Sequence, residues 1–294
     1  MTLGKRISIG FGILVLITLI LGAIGVINMR SASHSATKLS DIYVPEVDIA
    51  SNVFKLANQI RYDMRGYVNR EDEASLNNAK KNFVELKNVL AKAEAFGKKY
   101  QLKALLENEK VASKGLAEYI ASSERIEKAL MKKKAYDNTM GESAAIFLKN
   151  VDDYLKAQDK RLRAEMEEKA PSTKIIARIE KIDTMHKIVE IITYSRIFGQ
   201  RAQAKNDITM LEGAIQKFDG LYKLIDVLKA NTTSSEDMDD LKNIEMAAKS
   251  YEGTLKGFAS VMQEVAKESS VLIKVASEVL NAAEAVSDLG LNVM

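Results

Sequence analysis

Two arginines in the segment NQIRYDMRGY are the clearest candidates for chemistry in this sequence. Arg61 and Arg65 stand four residues apart, so in a helix they share one face, where they flank an apolar stripe containing Ile60 and Met64. A guanidinium at the border of a helical core presents a planar fork of N–H donors, and a low local dielectric strengthens its pairing with a carboxylate. The pattern is suited to binding a carboxylate. It is also typical of surface arginines that pair with nearby acids or cover apolar side chains.

Other kinds of chemistry find little support in the sequence. It contains no Cys, no Gly-rich phosphate loop and no HExxH zinc motif, and its acidic residues have the spacing of helix-surface ion pairs. Asp183 and His186 have the i,i+3 spacing of a di-iron ligand pair, but a bundle needs a second such motif and the sequence has none. With 43 basic and 40 acidic residues and no dense basic patch, nucleic acid is a poor candidate partner. We therefore expect no catalytic residues, no metal, no cofactor and no nucleic-acid partner.

The composition indicates an all-α protein made of a few long helices. Only 2 Pro and 15 Gly occur in 294 residues, whereas folds rich in strands need a turn every dozen or so residues. Sequence breakers near residues 70–72, 95–100, 170–173, 205–207 and 230–234 divide the part beyond residue 27 into six helices. Pro45 lies inside the first of them and should bend it or mark a short break.

An uncharged segment near the N-terminus has the length of a membrane span. Residues 7–27, ISIGFGILVLITLILGAIGVI, number 21 and reach about 30 Å as a helix. Lys5 and Arg6 should keep residues 1–6 in the cytoplasm as a short tail, so that residues 28–294 lie outside it. The alternative is a signal peptide cleaved near small residues such as Ala32 and Ser33. The lack of Cys fits an extracytoplasmic location.

One helical stripe occurs twice, at an offset of 135 residues. Apolar side chains alternate at spacings of 3 and 4 in both copies, at Leu76, Ala79, Phe83, Leu86, Leu90 and Ala93 and again at Leu211, Ala214, Phe218, Leu221, Ile225 and Leu228. The same offset relates Asp72 to Asp207, an agreement that an apolar repeat alone does not require. A structural duplication explains both observations, and it maps Arg61 onto Arg196 and Arg65 onto Gln200.

The last helix carries an apolar seam that runs through residues 244–293 and is broken only at Ser269 and Gly290. Ser234 and Asp237 form a plausible capping box at its start. A seam of about 50 residues spans roughly 75 Å, which is too long for one small globule. We therefore predict two four-helix bundles stacked end to end, with two long helices shared by both. The membrane-proximal module would comprise about residues 28–125 and 260–294, and the distal module about residues 126–259.

These features resemble a family of bacterial receptors. The opening LGKRISIGFGILVLITLILGAIGV, followed by YVPEV, is similar to the first membrane segment and early helix of a chemoreceptor. The duplicated six-helix pattern resembles the helical bimodular sensor domain of methyl-accepting chemotaxis proteins and of some sensor histidine kinases. The resemblance implies a sensor in the bacterial inner membrane, with its sensor domain in the periplasm or outside the cell. It also implies a small organic acid ligand, a homodimer, and signalling across the membrane by helix displacement.

The family pattern leaves the output open. Such receptors continue into a second membrane span and a cytoplasmic signalling hairpin, which these 294 residues do not contain. The sequence therefore corresponds to the sensing portion, and either a chemotaxis domain or a kinase fits it. A third hypothesis is a membrane-tethered helical spacer or partner-binding bundle without a ligand.

Helix heights above the membrane extend the list of candidate ligand-binding residues. At 1.5 Å per residue, Tyr119 comes to the level of Arg61, and several residues come to the level of Arg196. The full set of candidates is Arg61, Arg65, Tyr119, Arg196, Gln200, Arg201, Lys249, Tyr251 and Thr254. Core packing is the competing interpretation for both tyrosines, because they occupy seam positions.

Overall fold

The computed structural model describes residues 3–205 and 207–293, and within these ranges the secondary structure is helical, without strands. The predicted all-α fold class is confirmed. The helices are α1 (Leu3–Lys38), α2 (Val44–Arg70), α3 (Glu73–Tyr100), α4 (Lys103–Glu167), α5 (Ser172–Lys205), α6 (Ile208–Gln216), α7 (Phe218–Ala230) and α8 (Ser235–Val293). The helix predicted between 207 and 230 is thus divided at Lys217.

The N-terminal helical run carries the apolar segment. It is the one helical run in the described ranges that is long and apolar enough to cross a membrane, and none of its most apolar stretch is buried in the protein. A π-helical turn, Leu39–Tyr43, joins α1 to α2. Pro45 follows in the first turn of α2 and has no N–H to donate to the helical turn before it. The helical irregularity that Pro45 predicted is this π-helical turn, which lies just before the proline.

The chain divides into two compact units. Unit 1 comprises Met1–Ala121 and Val271–Met294, and unit 2 comprises Ser122–Ser270. The long helices α4 and α8 contribute residues to both units. Unit 1 adds α1, α2 and α3 to its parts of these helices, while unit 2 adds α5, α6 and α7.

The duplicated stripe forms the core of each unit. All twelve apolar residues of its two copies are buried, the most exposed being Phe83 at 6%. The shared aspartates cap equivalent helices. Asp72 accepts a hydrogen bond from the backbone N–H of Ala74 at 3.1 Å, and Asp207 accepts one from Thr209 at 3.0 Å. The structure therefore repeats both features from which the duplication was inferred.

The seam on α8 is buried from Ile244 to Val286 apart from the region around Ser269. There Glu268 enters the core at 7% exposure, accepts a hydrogen bond from Ser122 Oγ at 2.8 Å, and pairs with Arg125 Nη2 at 2.8 Å. These partners, Arg125 first among them, hold the pKa of Glu268 below its usual value. A satisfied polar layer thus replaces apolar packing where the seam is interrupted.

Alanine substitution at two glycines on the long helices should change the stability of the protein in opposite directions. An alanine Cβ at Gly115 would come within 2.7 Å of Val279 Cγ2, whereas one at Gly253 would meet nothing within 4 Å. We expect Gly115→Ala to destabilise the protein by about 1–2 kcal/mol through overpacking against a stiff valine. Gly253→Ala should stabilise it by about 0.5–1 kcal/mol, since glycine weakens a helix interior. Thermal unfolding of the full chain in detergent measures both, and shifts of the same sign would contradict this packing.

Candidate functional site

Each unit contains a buried tyrosine packed against one of two phenylalanines that the repeat offset relates, Phe83 and Phe218. In unit 1 the ring of Tyr119 lies edge-on to Phe83, with centroids 6.0 Å apart. In unit 2 Tyr251 lies against Phe218, the repeat equivalent of Phe83, also with centroids 6.0 Å apart. Tyr119 is 5% and Tyr251 1% exposed, so both rings belong to the core.

An arginine accompanies each of these tyrosines. Burial raises the pKa of Tyr251 to about 12, and the nearby charge of Arg196 acts to lower it. Burial likewise raises the pKa of Tyr119, and Arg61 opposes that rise. Both arginines are exposed, so their side chains lie at the surface beside a buried ring. We call each set an Arg–Tyr–Phe group: Arg61, Tyr119 and Phe83 in unit 1, and Arg196, Tyr251 and Phe218 in unit 2.

In unit 2 the Arg–Tyr–Phe group opens onto a cleft of about 270 Å³, here called the Arg196 cleft. It lies among α4, α5 and α8 and brings together three of the predicted site residues, Arg196, Gln200 and Tyr251. The remaining lining residues are Asp137, Asn138, Met140, Gly141, Ala144 and Gln203. Gln203 Nε2 donates a hydrogen bond to Asp137 Oδ2, which ties α5 to α4 at the edge of the cleft.

The structure places the other candidates in unit 2 away from the lining of this cleft. Lys249 Nζ pairs with Glu245 on its own helix at 2.6 Å. Thr254 is buried, donates to the carbonyl of Ser250 at 3.0 Å and lies 3.5 Å from Ser143 Oγ. The guanidinium of Arg201 lies over the ring of Phe198, 5.7 Å from its centroid. In unit 1, Arg61 and Arg65 are both exposed on α2.

The two units differ in chemistry just beside these groups. In unit 1 the buried Asp63 accepts hydrogen bonds from Gln59 at 3.2 Å and from Asn82 at 3.1 Å. The repeat offset maps these three residues onto Phe198, Tyr194 and Lys217. In unit 2 the two rings stack with centroids 4.0 Å apart, and the Lys217 ammonium lies 5.5 Å from the Tyr194 centroid. The same three repeat positions therefore form a hydrogen-bonded polar cluster in unit 1 and an aromatic pair beside an ammonium in unit 2.

A second cleft in unit 2, of about 380 Å³, lies between α5 and α7. Its charged residues are Glu180, Lys181, Asp183 and Lys187, all on α5. Burial is the main cause that lowers the pKa of Lys181, and the charge of Arg178 adds to it. None of the predicted site residues lines this cleft.

Unit 2 contains a buried ionic network that the sequence pattern did not predict. Arg178, with a side chain 14% exposed, binds both carboxylate oxygens of Glu165, with Nη2 at 2.7 Å and Nε at 3.3 Å. Arg161 donates to Asp237 and, at 2.8 Å, to Glu236. The network joins the end of α4 to the starts of α5 and α8. In the sequence, Asp237 had only the role of a capping-box residue, and the Asp237 N–H does donate to Ser234 Oγ at 3.3 Å.

Two polar atoms beside this network are buried without a hydrogen-bond partner among the described residues. They are Tyr154 Oη and Gln158 Nε2. The side-chain oxygen of Gln158 is satisfied, since it accepts a hydrogen bond from Arg178 Nη1 at 2.5 Å. The described ranges contain no group of three or more metal-ligating side chains.

The chain belongs to the four-helix-bundle sensory modules for signal transduction, whose family model matches residues 1–181. The resemblance to the sensor domain of a chemotaxis receptor is confirmed by this match. Among solved structures, the TorS sensor domain, crystallised in complex with TorT in the presence of TMAO, is similar at 10% identity. The similarity has a TM-score of 0.45 and covers 84% of this chain and 99% of that one. No curated protein is similar enough in sequence to be counted as a relative.

The Arg178–Glu165 pair predicts a pH-dependent stability. The pair holds the pKa of Glu165 below its ordinary value of 4.5, so its stabilisation is complete above that value and is lost as pH falls through the lower, folded-state pKa. Glu165→Gln should lower stability by about 1–3 kcal/mol at neutral pH and flatten the loss of melting temperature below about pH 5. Thermal unfolding across pH measures this, with the exposed Glu167→Gln as control. Parallel pH profiles for wild type and Glu165→Gln would contradict the role given to this pair.

Proposed function

We propose that this protein is a membrane-anchored extracytoplasmic sensor of small organic acids. The observation that carries the proposal is the Arg196 cleft, because Arg196 has no ion-pair partner among the described residues and lines a cleft of ligand size. Family membership supplies the sensory role. The apolar N-terminal helix supports the anchor, and Lys5 and Arg6 support an orientation with the sensor in the periplasm or outside the cell.

The polar groups of the cleft suit a carboxylate. The guanidinium of Arg196 offers a fork of N–H donors, and Gln200 adds an amide. Tyr251 keeps its hydroxyl proton at neutral pH, because burial raises its pKa to about 12, so it is a hydrogen-bond donor. A ligand that contacts α4, α5 and α8 together would favour one arrangement of these helices over another. Since α8 also contributes to unit 1, a shift of this helix offers a route for the signal toward the membrane.

Unit 1 supports a second site of the same kind. Its Arg–Tyr–Phe group has an additional cation, Arg65, where unit 2 has Gln200. We therefore propose that a site at Arg61 and Arg65 prefers dianions, in contrast to the more neutral lining of the Arg196 cleft.

One observation favours a second candidate function. Arg61, Arg65, Arg196 and Arg201 are all exposed, as expected for surface arginines of a membrane-tethered spacer or partner-binding bundle without a ligand. The sensor hypothesis is the same whether the output is a chemotaxis domain or a kinase.

Binding measurements on single arginine variants test the proposal. Arg196→Ala should weaken carboxylate binding in unit 2 by about tenfold or more, since charge-assisted hydrogen bonds each contribute about 1.5–3 kcal/mol, and Arg61→Ala should do the same in unit 1. Calorimetric titration of C2 to C6 organic acids into the full chain measures both. Arg201→Ala, on the same helix as Arg196 but outside the cleft lining, is the matched control. Absence of binding, or equal affinities in all variants, would favour the spacer.

Association of the chain is a further expected property. We expect a homodimer, because one membrane anchor per chain aligns two copies in parallel, and a ligand that prefers the dimer should tighten it by mass action. Sedimentation of a fragment covering residues 28–294, with and without a bound acid, measures this. A strict monomer under both conditions would contradict dimer-based signalling.

A further inference from the structure

The Arg196 cleft contains a negative charge as well as a positive one. Asp137, on α4, lines the same cleft as Arg196, on α5. The other polar lining residues, Asn138, Gln200 and Gln203, are neutral amides. The charged side chains of the lining therefore sum to zero.

Asp137 retains capacity for a further partner. Its carboxylate accepts a hydrogen bond from Gln203 Nε2. An ionised carboxylate has about four acceptor positions on its two oxygens, so one amide hydrogen bond leaves most of them open. Gln203 fixes the position of the carboxylate at the cleft without neutralising it.

These charges discriminate between classes of ligand. A simple monocarboxylate would gain from Arg196 and lose from Asp137, and a dianion would lose more, because like charges in a partly desolvated site repel. A molecule that carries both a carboxylate and an ammonium would pair with both residues. Met140 and Ala144 supply apolar surface for its carbon atoms.

We propose that the Arg196 cleft binds a small zwitterion, with its carboxylate on Arg196 and its ammonium on Asp137. This inference rests on the proposed function and narrows its ligand class in unit 2. The cleft volume of about 270 Å³ lies just below the range of pockets for drug-sized ligands, which suits a molecule of a few carbon atoms. The ligand would pair with Asp137 on α4 and with Arg196 on α5, so its binding would couple these two helices.

Matched pairs of probes separate the zwitterion from the simple acid. L-alanine and propionate differ by one ammonium group, as do L-glutamate and glutarate. Isothermal titration of each into the full chain in nanodiscs should show tighter binding of the amino acid in at least one pair. Asp137→Asn removes the negative charge with little change in volume, so it should weaken amino acid binding at least tenfold and leave propionate binding equal or tighter. Arg196→Ala should weaken both members of each pair.

Two further variants control for folding and for the position of the site. Asp153→Asn changes an exposed carboxylate on the same helix that pairs with Lys149, and it should leave every affinity unchanged. Gly141→Phe places a ring in the cleft at a position where a Cβ meets nothing within 4 Å, so the protein should fold and lose binding of both probes. Retention of helicity in circular dichroism confirms folding in each case.

The outcomes distinguish the two proposals. If propionate or glutarate binds and neither amino acid binds more tightly, or if Asp137→Asn leaves amino acid affinity intact, the zwitterion inference is overturned while the sensor of organic acids stands. If neither class of probe binds the wild type, both proposals are overturned. Binding of an amino acid that Gly141→Phe does not reduce would place the ligand outside this cleft and overturn the inference as well.

Discussion

The burial of one apolar seam along α8 decides how the rest of the structure is arranged. Each turn of α8 from Ile244 to Val286 places a side chain in the core, except around Ser269, where the Glu268 layer intervenes. Burial of an aliphatic or aromatic side chain contributes about 1.5–3 kcal/mol, so rotation of α8 away from this register would cost several such contributions. The register places the ring of Tyr251 against Phe218 and includes Tyr251 in the lining of the cleft. The candidate site depends on that seam, because its aromatic wall is a seam residue.

The two units share a repeated apolar pattern and differ in the side chains at its borders. The core positions are apolar in both, while the positions beside the Arg–Tyr–Phe groups carry amides and a carboxylate in unit 1 and aromatic rings and an ammonium in unit 2. Core residues are constrained by volume and packing, whereas border residues can change charge at little cost in stability. The two units therefore share an apolar core pattern and differ in the side chains beside their Arg–Tyr–Phe groups.

Features set by local sequence could be predicted, and features set by the packing of distant segments could not. Helix boundaries follow from breakers and from caps such as Asp72 and Asp207, and buried faces follow from spacings of 3 and 4. Heights calculated from the helical rise per residue correctly placed Arg196 and Tyr251 at one level. It did not fix the direction of each side chain around its helix, so Lys249 and Thr254 lie elsewhere. Asp137 follows a run of lysines in the sequence, and only the packing of α4 against α5 shows that it lines a cleft.

The Arg178–Glu165 network was hidden for the same reason. Its residues come from three helices and lie up to 79 positions apart in sequence, from Gln158 to Asp237. Buried charges of this kind reveal themselves only when neighbouring helices remove the surrounding water. By contrast, the sequence does show where charges repeat at the duplication offset, and that signal located Arg196.

Hydrogen exchange of the full chain in nanodiscs, with and without saturating L-alanine, tests whether the Arg196 cleft in unit 2 is a ligand site. Bound ligand should slow exchange in the segments that line the cleft, because it stabilises the closed state of the helices it contacts. These segments are residues 137–144 of α4, 196–203 of α5 and the turn of α8 around Tyr251. The segment of α2 around Arg61 should exchange at an unchanged rate. Unchanged exchange throughout unit 2, or protection confined to α2, would contradict a ligand site in this cleft.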